Sequence, residues 1–256
     1  MKTLLPFTVI YEDENIIAVN KSSGIPVTGD RWDDSKQRLD KLLAESINTK
    51  IFTVHRIDRE TSGLVVFAKN EISHRRLSLA FEERDTEKRY IAVVHGRPPW
   101  QETECAVPLV PNGNKQHMTI IDKFRGKKSF TRFILIGSAG SYSVLEALPE
   151  TGRTHQIRVH AAALGFPVVC DPLYGNNKPV LLSAIKKNWR GDHLDEKPIL
   201  ARLGLHAAEI SLPAITVSGN QDRIRLYAAL PKDMASLIKQ MEKITGNFQF
   251  SGKLSV

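Results

Sequence analysis

Short apolar segments separated by polar turns run along the whole chain, and most have the length and composition of β-strands. The first two, residues 7–11 and 16–19, flank a polar turn and predict a β-hairpin. The unbroken apolar run at residues 64–68 predicts a strand buried on both faces, and residues 90–94 predict the next strand. Further strands are expected at residues 103–109, 130–136, 142–147, 205–212 and 223–228.

Apolar residues recur at helical spacing in four other segments, which are residues 35–48, 72–84, 154–164 and 232–244. The third of these is the clearest helix, because Thr154 is a suitable N-cap and Gly165 follows its end. Strands and helices alternate irregularly, and hairpins outnumber parallel crossovers. We therefore predict an α+β fold on a mixed, mostly antiparallel sheet with flanking helices.

Composition narrows the class of protein further. With 256 residues, of which 41% are hydrophobic, the chain can bury a full core, which excludes disorder as its main state. No apolar run approaches the roughly 18–20 residues of a membrane span, so no membrane partner is expected. No secretory signal is expected, because the N-terminal residues include no long apolar stretch, and two cysteines, Cys105 and Cys170, cannot build a disulfide framework. A cytoplasmic location is expected.

The charge balance favours a polyanionic partner. Lysine and arginine total 36 against 28 acidic residues, a net charge of +8. This excess suits nucleic acid, although charge alone equally fits a soluble basic enzyme. A cluster opposed only by Asp122 is typical of a phosphate-facing surface. Its members are Lys115, Lys123, Arg125, Lys127, Lys128 and Arg132.

Three polar segments interrupt the apolar pattern, and the first lies just before the buried strand at residues 64–68. Here Asp58 stands between Arg56 and Arg59, and two neighbouring cations favour an ionised carboxylate. Such a group can act as a nucleophile or a base. Ser62 and Gly63 would permit a tight turn that exposes Asp58 at the strand edge. The alternative is a structural salt bridge between Asp58 and an arginine in a loop.

The other two segments are residues 152–160 and residues 88–92. In the first, Thr154 and Arg158 share one side of the predicted helix, but an ordinary capped helix with its polar face in water fits equally well. In the second, Tyr90 could stack on a nucleobase or pack in the core. His206, in an apolar strand, is interpreted as a hydrogen-bonded core residue. No cofactor or metal motif is present, so none is predicted.

Together these segments resemble the RluA-type pseudouridine synthases, which modify ribosomal and transfer RNA. Residues 55–63, 88–90 and 151–160 are similar to the family's three motifs, and residues 19–21, 171–175 and 205–207 add shorter matches. The similarity covers most of the chain. It implies one catalytic domain over residues 1–256, with a cleft across an α+β fold, and isomerisation of a uridine in RNA to pseudouridine without a cofactor.

The resemblance also implies roles for individual residues. Asp58 corresponds to the essential aspartate, which attacks the ribose or the base or acts as a base toward the sugar. Arg158 corresponds to the arginine that pairs with it, and Tyr90 to the aromatic that packs on the target base. Arg56 can fill the stack that the extruded uridine leaves. The remaining expected RNA contacts are His55, Arg153, Ile157, Lys123, Lys127 and Lys128.

The chain departs from the family pattern at a few places. Residues 21–24 lack the proline that many relatives have there, so this loop is expected to be less rigid. Many relatives carry a small N-terminal RNA-binding domain, and we expect none here because the first hairpin begins by Phe7. Target choice would then rest on the catalytic domain, with the basic cluster at residues 115–132 binding the RNA backbone. A monomer is expected.

Two other functions remain open. A non-catalytic RNA-binding module could keep the same fold, although a binder has no need of Asp58. A hydrolase could use the aspartate on a glycosidic bond, and would release free uracil, whereas an isomerase gives RNA of unchanged mass. The target RNA, and the uridine within it, are not determined by the sequence.

Overall fold

The computed structural model describes residues 5–29, 37–114, 118–186, 188–192, 194–215, 223–246, 248 and 250. Over these residues the backbone forms twelve strands and four helices. The strands are β1 (Phe7–Glu12), β2 (Ile16–Lys21), β3 (Phe52–Thr53), β4 (Ser62–Ala68), β5 (Glu87–His95), β6 (Glu102–Cys105), β7 (Leu109–Val110), β8 (Ile120–Ile121), β9 (Thr131–Ala139), β10 (Tyr142–Pro149), β11 (Leu205–Pro213) and β12 (Arg223–Tyr227). The helices are α1 (Leu39–Ile47), α2 (Glu71–Glu82), α3 (Gln156–Ala163) and α4 (Lys232–Thr245).

Most differences from the predicted elements lie at their ends. The helix expected from residue 35 begins at Leu39, and residues 35 and 36 lie outside the described ranges. The single strand predicted over residues 103–109 is wrong. β6 ends at Cys105, and the chain resumes only at β7, because Pro108 has no N–H to donate to a sheet.

The backbone divides into two compact units. The first comprises residues 1–88 and 206–229, and the second comprises residues 89–205 and 230–256. The strand pairs described inside the two units are antiparallel except for β4 with β11, which confirms the predicted α+β class. The prediction of one domain over residues 1–256 stays a prediction. No helix in the described ranges is long and apolar enough to span a bilayer.

In the first unit β4 is the central strand, and all seven of its residues are buried, as its apolar run predicts. β2 pairs along one edge of β4, while β11 and β3 share the other edge. Helix α2 lies against β4 and buries Leu77 and Ala80. Gly63 has φ 115°, and a Cβ atom there would collide with the carbonyl oxygen of Ala207. The close approach of β4 and β11 therefore requires glycine.

In the second unit the strand order is β5–β10–β9–β6, with helices α3 and α4 packed against it. The apolar stripe predicted for the last helix is buried in α4 through Met234, Leu237, Ile238 and Met241. β7 and β8, which follow β6 and precede β9 in the sequence, form a separate two-stranded antiparallel sheet. Cys105 and Cys170 are both buried free thiols in this unit.

Candidate active site

Asp58 lies on a tight turn between β3 and β4. The Thr61 N–H donates to the Asp58 carbonyl oxygen at 3.1 Å, which closes the turn, and the neighbouring Ile57 is buried. Asp58 itself is half-buried. The turn predicted at Ser62 and Gly63 is wrong, because both residues already belong to β4.

The buried side chain of Lys21 holds this turn through hydrogen bonds. Lys21 is fully buried, and its Nζ donates to the carbonyl oxygens of Ser22 at 2.9 Å, Ile25 at 2.9 Å and Arg59 at 3.0 Å. A buried ammonium is tolerated only with such partners. The side chain of Lys21 is therefore withdrawn from solvent. It ties the end of β2 to the residue that follows Asp58.

Backbone bonds complete the attachment of the turn to residues 22–25. The Gly24 N–H donates to the Arg59 carbonyl at 2.9 Å, and Arg59 Nε donates to the Gly24 carbonyl at 2.9 Å. Ser23 Oγ donates to the Glu60 carbonyl at 2.6 Å. Hydrogen bonds thus hold in place the loop that was expected to be less rigid without proline. Arg59 Nε also lies 3.8 Å from the carboxylate of Glu60.

The buried start of β4 is held by a histidine of β11. His206 is fully buried, with Ser62 Oγ 3.0 Å from its Nδ1 and the Ala228 carbonyl 3.2 Å from its Nε2. With a proton on Nε2, the ring donates to the carbonyl and accepts from the hydroxyl. The predicted hydrogen-bonded core role of His206 is confirmed.

His55 supports the same strand further along, at Val66. Its Nε2 accepts from the Val66 N–H at 2.9 Å, and its ring stacks on Phe81 with centroids 4.7 Å apart. Burial, with a smaller contribution from the charge of Lys88, lowers the pKa of His55 to about 3. The imidazole is therefore neutral near pH 7 and can accept the backbone hydrogen bond from β4. Its contact with RNA stays a prediction.

Tyr90 opens the buried part of β5 in the second unit. It is half-buried and packs against the core cluster that contains Ala92, Ile157 and Ala161. Ile157 is itself 6% exposed, which makes it a core residue as well as a predicted contact. Arg89, beside Tyr90, pairs with Glu146 on the neighbouring strand at 2.6 Å. The predicted role of Tyr90 against the target base stays a prediction.

The third motif enters α3, but not with the predicted cap. The N-cap is His155, in the left-handed region at φ 53°, so the prediction of Thr154 is wrong. Gln156 attaches the residues before the helix to its first turn, because its Oε1 accepts from the Arg153 N–H at 3.0 Å and from Thr151 Oγ1 at 2.7 Å. The helix is buried from Gln156 to Ala161, which contradicts the alternative of a polar face in water.

Arg158 forms a buried two-point ion pair with Asp171. Its Nε lies 2.8 Å from Oδ2, and its Nη2 lies 2.7 Å from Oδ1. The side chains are only 3% and 0% exposed. Burial alone would raise the pKa of Asp171, but the hydrogen bonds and charge of Arg158, with the N–H groups of Leu173 and Tyr174, bring it below its ordinary value. The carboxylate is thus charged and fixes the plane of the guanidinium.

Tyr174 completes the surroundings of Arg158. The centre of its ring lies 5.1 Å from the guanidinium carbon, within reach of a cation–π contact. Its hydroxyl accepts from the Thr119 N–H at 2.8 Å and lies 2.9 Å from His155 Nδ1. The sequence assigned no role to Asp171 or Tyr174, although both belong to the short match at residues 171–175.

The predicted RNA-binding lysines lie on the surface of the second unit. Lys123, Lys127 and Lys128 are exposed, and Arg153 Nε donates to the Lys128 carbonyl at 3.2 Å. Arg56, in the first unit, is also exposed. Lys115, the first member of the cluster, lies outside the described residues.

The chemistry that these residues offer is that of a fixed carboxylate and a fixed cation. Asp58 stands on a turn held through Lys21, and Arg158 is held by Asp171. Neither needs a metal, and the described residues contain no group of three or more histidine, cysteine or acidic side chains placed to bind one. An essential aspartate can act by nucleophilic attack or as a base from such a position.

Comparisons with known proteins identify the family of the chain. A sequence profile of the RNA pseudouridylate synthase family matches residues 15–163, which is more than half of the chain and includes Asp58, Tyr90 and Arg158. Ribosomal large subunit pseudouridine synthase D of Zymomonas mobilis is 31% identical over 93% of this chain and 73% of its own length. An uncharacterised RNA pseudouridine synthase of the same organism is 35% identical over 80% of this chain and 96% of its own length.

Solved structures give the same fold. Human RNA pseudouridylate synthase domain containing 4 has a TM-score of 0.68 and 21% identity, covering 91% of this chain and 92% of the human chain. With this fold, and with matching relatives, the non-catalytic alternative is not supported. The chain belongs to the RNA pseudouridylate synthase family, which confirms the predicted family and the predicted isomerase activity on RNA.

Proposed function

We propose that this enzyme isomerises specific uridines in ribosomal or transfer RNA, with Asp58 as the essential group. The observation that carries the proposal is the attachment of the Asp58 turn. Lys21, Ser23 and Gly24 hold its backbone through the carbonyls of Arg59 and Glu60, while Asp58 stays half-buried. A rigid backbone below a partly accessible carboxylate is what a reaction at one fixed ribose and base requires.

The reaction conserves every atom of the uridine except for an exchange of protons. The bond between N1 and C1′ breaks, the uracil turns, and C5 forms the new bond to C1′. C5 then loses its proton, and N1 gains one. Because both partners stay in the site, no oxidant or reductant takes part, and the mass of the RNA is unchanged.

Arg158 and Tyr90 are proposed to assist Asp58 as the resemblance implies. Asp171 binds Nε and Nη2 of Arg158 and fixes the plane of the guanidinium, whose charge can also stabilise a second anion. We propose that this anion is Asp58, whose charge Arg158 would stabilise. A double-mutant cycle of Asp58→Glu, which keeps the charge and should leave measurable residual turnover, and Arg158→Lys tests the pairing, since independent residues would give additive losses in turnover.

The experiment for the whole proposal is pseudouridine mapping across total RNA. Cells lacking the protein should lose one or more sites, and the wild-type gene should restore them, whereas Asp58→Ala should not. Glu60→Gln, in the same turn, is the matched control and should restore the sites. Unchanged sites in the deleted strain, or restoration by Asp58→Ala, would count against the proposal.

The same map identifies the substrate, because lost sites lie either in ribosomal or in transfer RNA. The relatives named for the ribosomal large subunit favour ribosomal RNA. Activity on ribosomal RNA or on transfer RNA would support the cytoplasmic location that we propose. We also propose that the enzyme acts as a monomer, which sedimentation equilibrium checks.

A further inference from the structure

The most exposed large apolar side chain described in the second unit stands among cations. Phe124 is 97% exposed at the tip of a turn that we call the basic turn, residues 122–128. A single exposed apolar residue needs no explanation by itself. Here the ring lies between Lys123 and Arg125 in the chain, with Lys127 and Lys128 also exposed. Aromatic rings interleaved with cations are typical of surfaces that bind single-stranded nucleic acid.

The basic turn is held in one shape by its only acidic residue. Asp122 Oδ1 accepts from the N–H groups of Phe124 and Arg125, each at 2.9 Å, and Oδ2 accepts from Arg125 Nε at 2.8 Å. The Gly126 N–H donates to the Asp122 carbonyl at 2.9 Å. The carboxylate is thus committed to the turn, and the ring of Phe124 is presented to solvent rather than folded back.

The base of the turn is anchored to neighbouring parts of the second unit. Lys127 and Leu109 exchange two backbone hydrogen bonds, at 2.9 and 3.0 Å, and the Asp122 N–H donates to the Pro108 carbonyl at 3.1 Å. Ser129 Oγ donates to the Val107 carbonyl at 2.6 Å and lies 3.0 Å from Nε2 of His160. His160 belongs to α3, the helix that also carries Arg158. The position of Phe124 relative to α3 is therefore fixed.

We propose that Phe124 stacks on an unpaired base of the RNA substrate while Lys123, Lys127 and Lys128 bind the adjacent phosphates. A flat ring at the end of a rigid turn offers one face to a base, and every base has a complementary π-face. The cations supply the attraction that is independent of sequence. This inference rests on the proposed function, since it names how the same RNA is held.

Fluorescence anisotropy of a labelled RNA stem–loop with a uridine-rich loop, and of its fully paired stem alone, tests the proposal. Phe124→Ala should weaken stem–loop binding roughly 5- to 100-fold, because a base–aromatic stack is lost, and should leave stem binding unchanged. The salt dependence should keep its slope in Phe124→Ala, whereas Lys127→Gln should reduce the slope by about one. Phe124→Trp should bind as the wild type does, with tryptophan quenching on RNA addition.

Leu194→Ala is the matched control, because Leu194 is 94% exposed in another loop and should not affect binding. The proposal is overturned if the wild type does not bind the stem–loop, if Phe124→Ala binds it normally, or if stem binding falls equally. It is also overturned if Phe124 is needed instead for binding phosphatidylserine vesicles. Failure of the proposed function is separate, since it would appear as absent pseudouridine even where binding depends on Phe124.

Discussion

Replacing Asp171 by asparagine probes the device that orients Arg158. The substitution keeps the shape of the side chain but removes its charge. The asparagine oxygen can still accept from the N–H groups of Leu173 and Tyr174, which now donate to Oδ1 at 2.9 and 3.2 Å. Its NH₂ group then takes the place of Oδ2 and faces Arg158 Nε, so that two hydrogen-bond donors oppose each other at this contact.

The magnitude follows from burial. Both side chains of the pair are almost inaccessible, at 3% and 0% exposure. Breaking such a pair while one charge stays buried costs about 3–5 kcal/mol. Asp171→Asn should therefore lower the free energy of unfolding by that amount at pH 7. Turnover should fall about 10- to 100-fold, because the guanidinium loses its fixed orientation.

The pH dependence has a definite sign. The folded pKa of Asp171 lies below its ordinary value of 3.8. Its carboxylate therefore contributes stability above that value, and the contribution is lost as the pH falls through the lowered folded pKa. The difference between wild type and Asp171→Asn should be largest near neutral pH and should shrink below about pH 4.

Urea denaturation, followed by tryptophan fluorescence at several pH values, measures this difference. Glu102→Gln is the control, because it removes the charge from an exposed pair with Arg132 at 3.2 Å and should cost less than about 1 kcal/mol. A wild-type urea midpoint for Asp171→Asn at pH 7, or a difference from wild type that grows in acid, would refute the reasoning.

Three further predictions concern the first unit. Lys21→Met removes the ammonium donor from three carbonyls, of which that of Arg59 keeps only the Gly24 N–H, and should cost about 1–3 kcal/mol in urea denaturation, with reduced turnover; unchanged turnover would contradict the role of Lys21 in holding the Asp58 turn. Gly63→Ala should lower the melting temperature strongly, by loss of about 2 kcal/mol or more, because a Cβ collides with Ala207; calorimetry measures the shift, and a wild-type melting temperature would disprove the close approach. The pKa of His55 is lowered to about 3 in the folded protein, so below about pH 6.5 the unfolded chain binds one more proton than the folded protein does. Stability should therefore decrease as the pH falls from about 6.5 to about 3. His55→Gln should reduce this decrease, and an NMR titration that places the pKa of His55 near 6 would disprove the prediction.

The sequence predicts the elements whose periodicity matches their burial. The run in β4 is apolar throughout because both its faces are covered, and the stripe of α4 has the spacing of one helix face. His206 is recognisable as a core residue because apolar neighbours surround it along the chain. In each case the nearest residues in sequence carry the information.

The charged supports of the site cannot be predicted in this way. Lys21 is buried because a carbonyl 38 residues away accepts from it, and Asp171 meets Arg158 only after the chain leaves α3 and turns back. A lysine at a strand end or an aspartate before proline gives no local sign of such partners. The N-cap prediction failed because the backbone is left-handed at His155, which makes that residue rather than Thr154 the N-cap, and no local pattern announces this conformation.

Asp58 is proposed to drive the isomerisation of uridine. Purified enzyme and RNA transcribed with [5-³H]uridine test it most directly, because the new bond at C5 displaces tritium into water. The wild type and Glu60→Gln should release tritium and form pseudouridine without free uracil, while folded Asp58→Asn should release none. Tritium release by Asp58→Asn at the wild-type rate, or free uracil among the wild-type products, would contradict it.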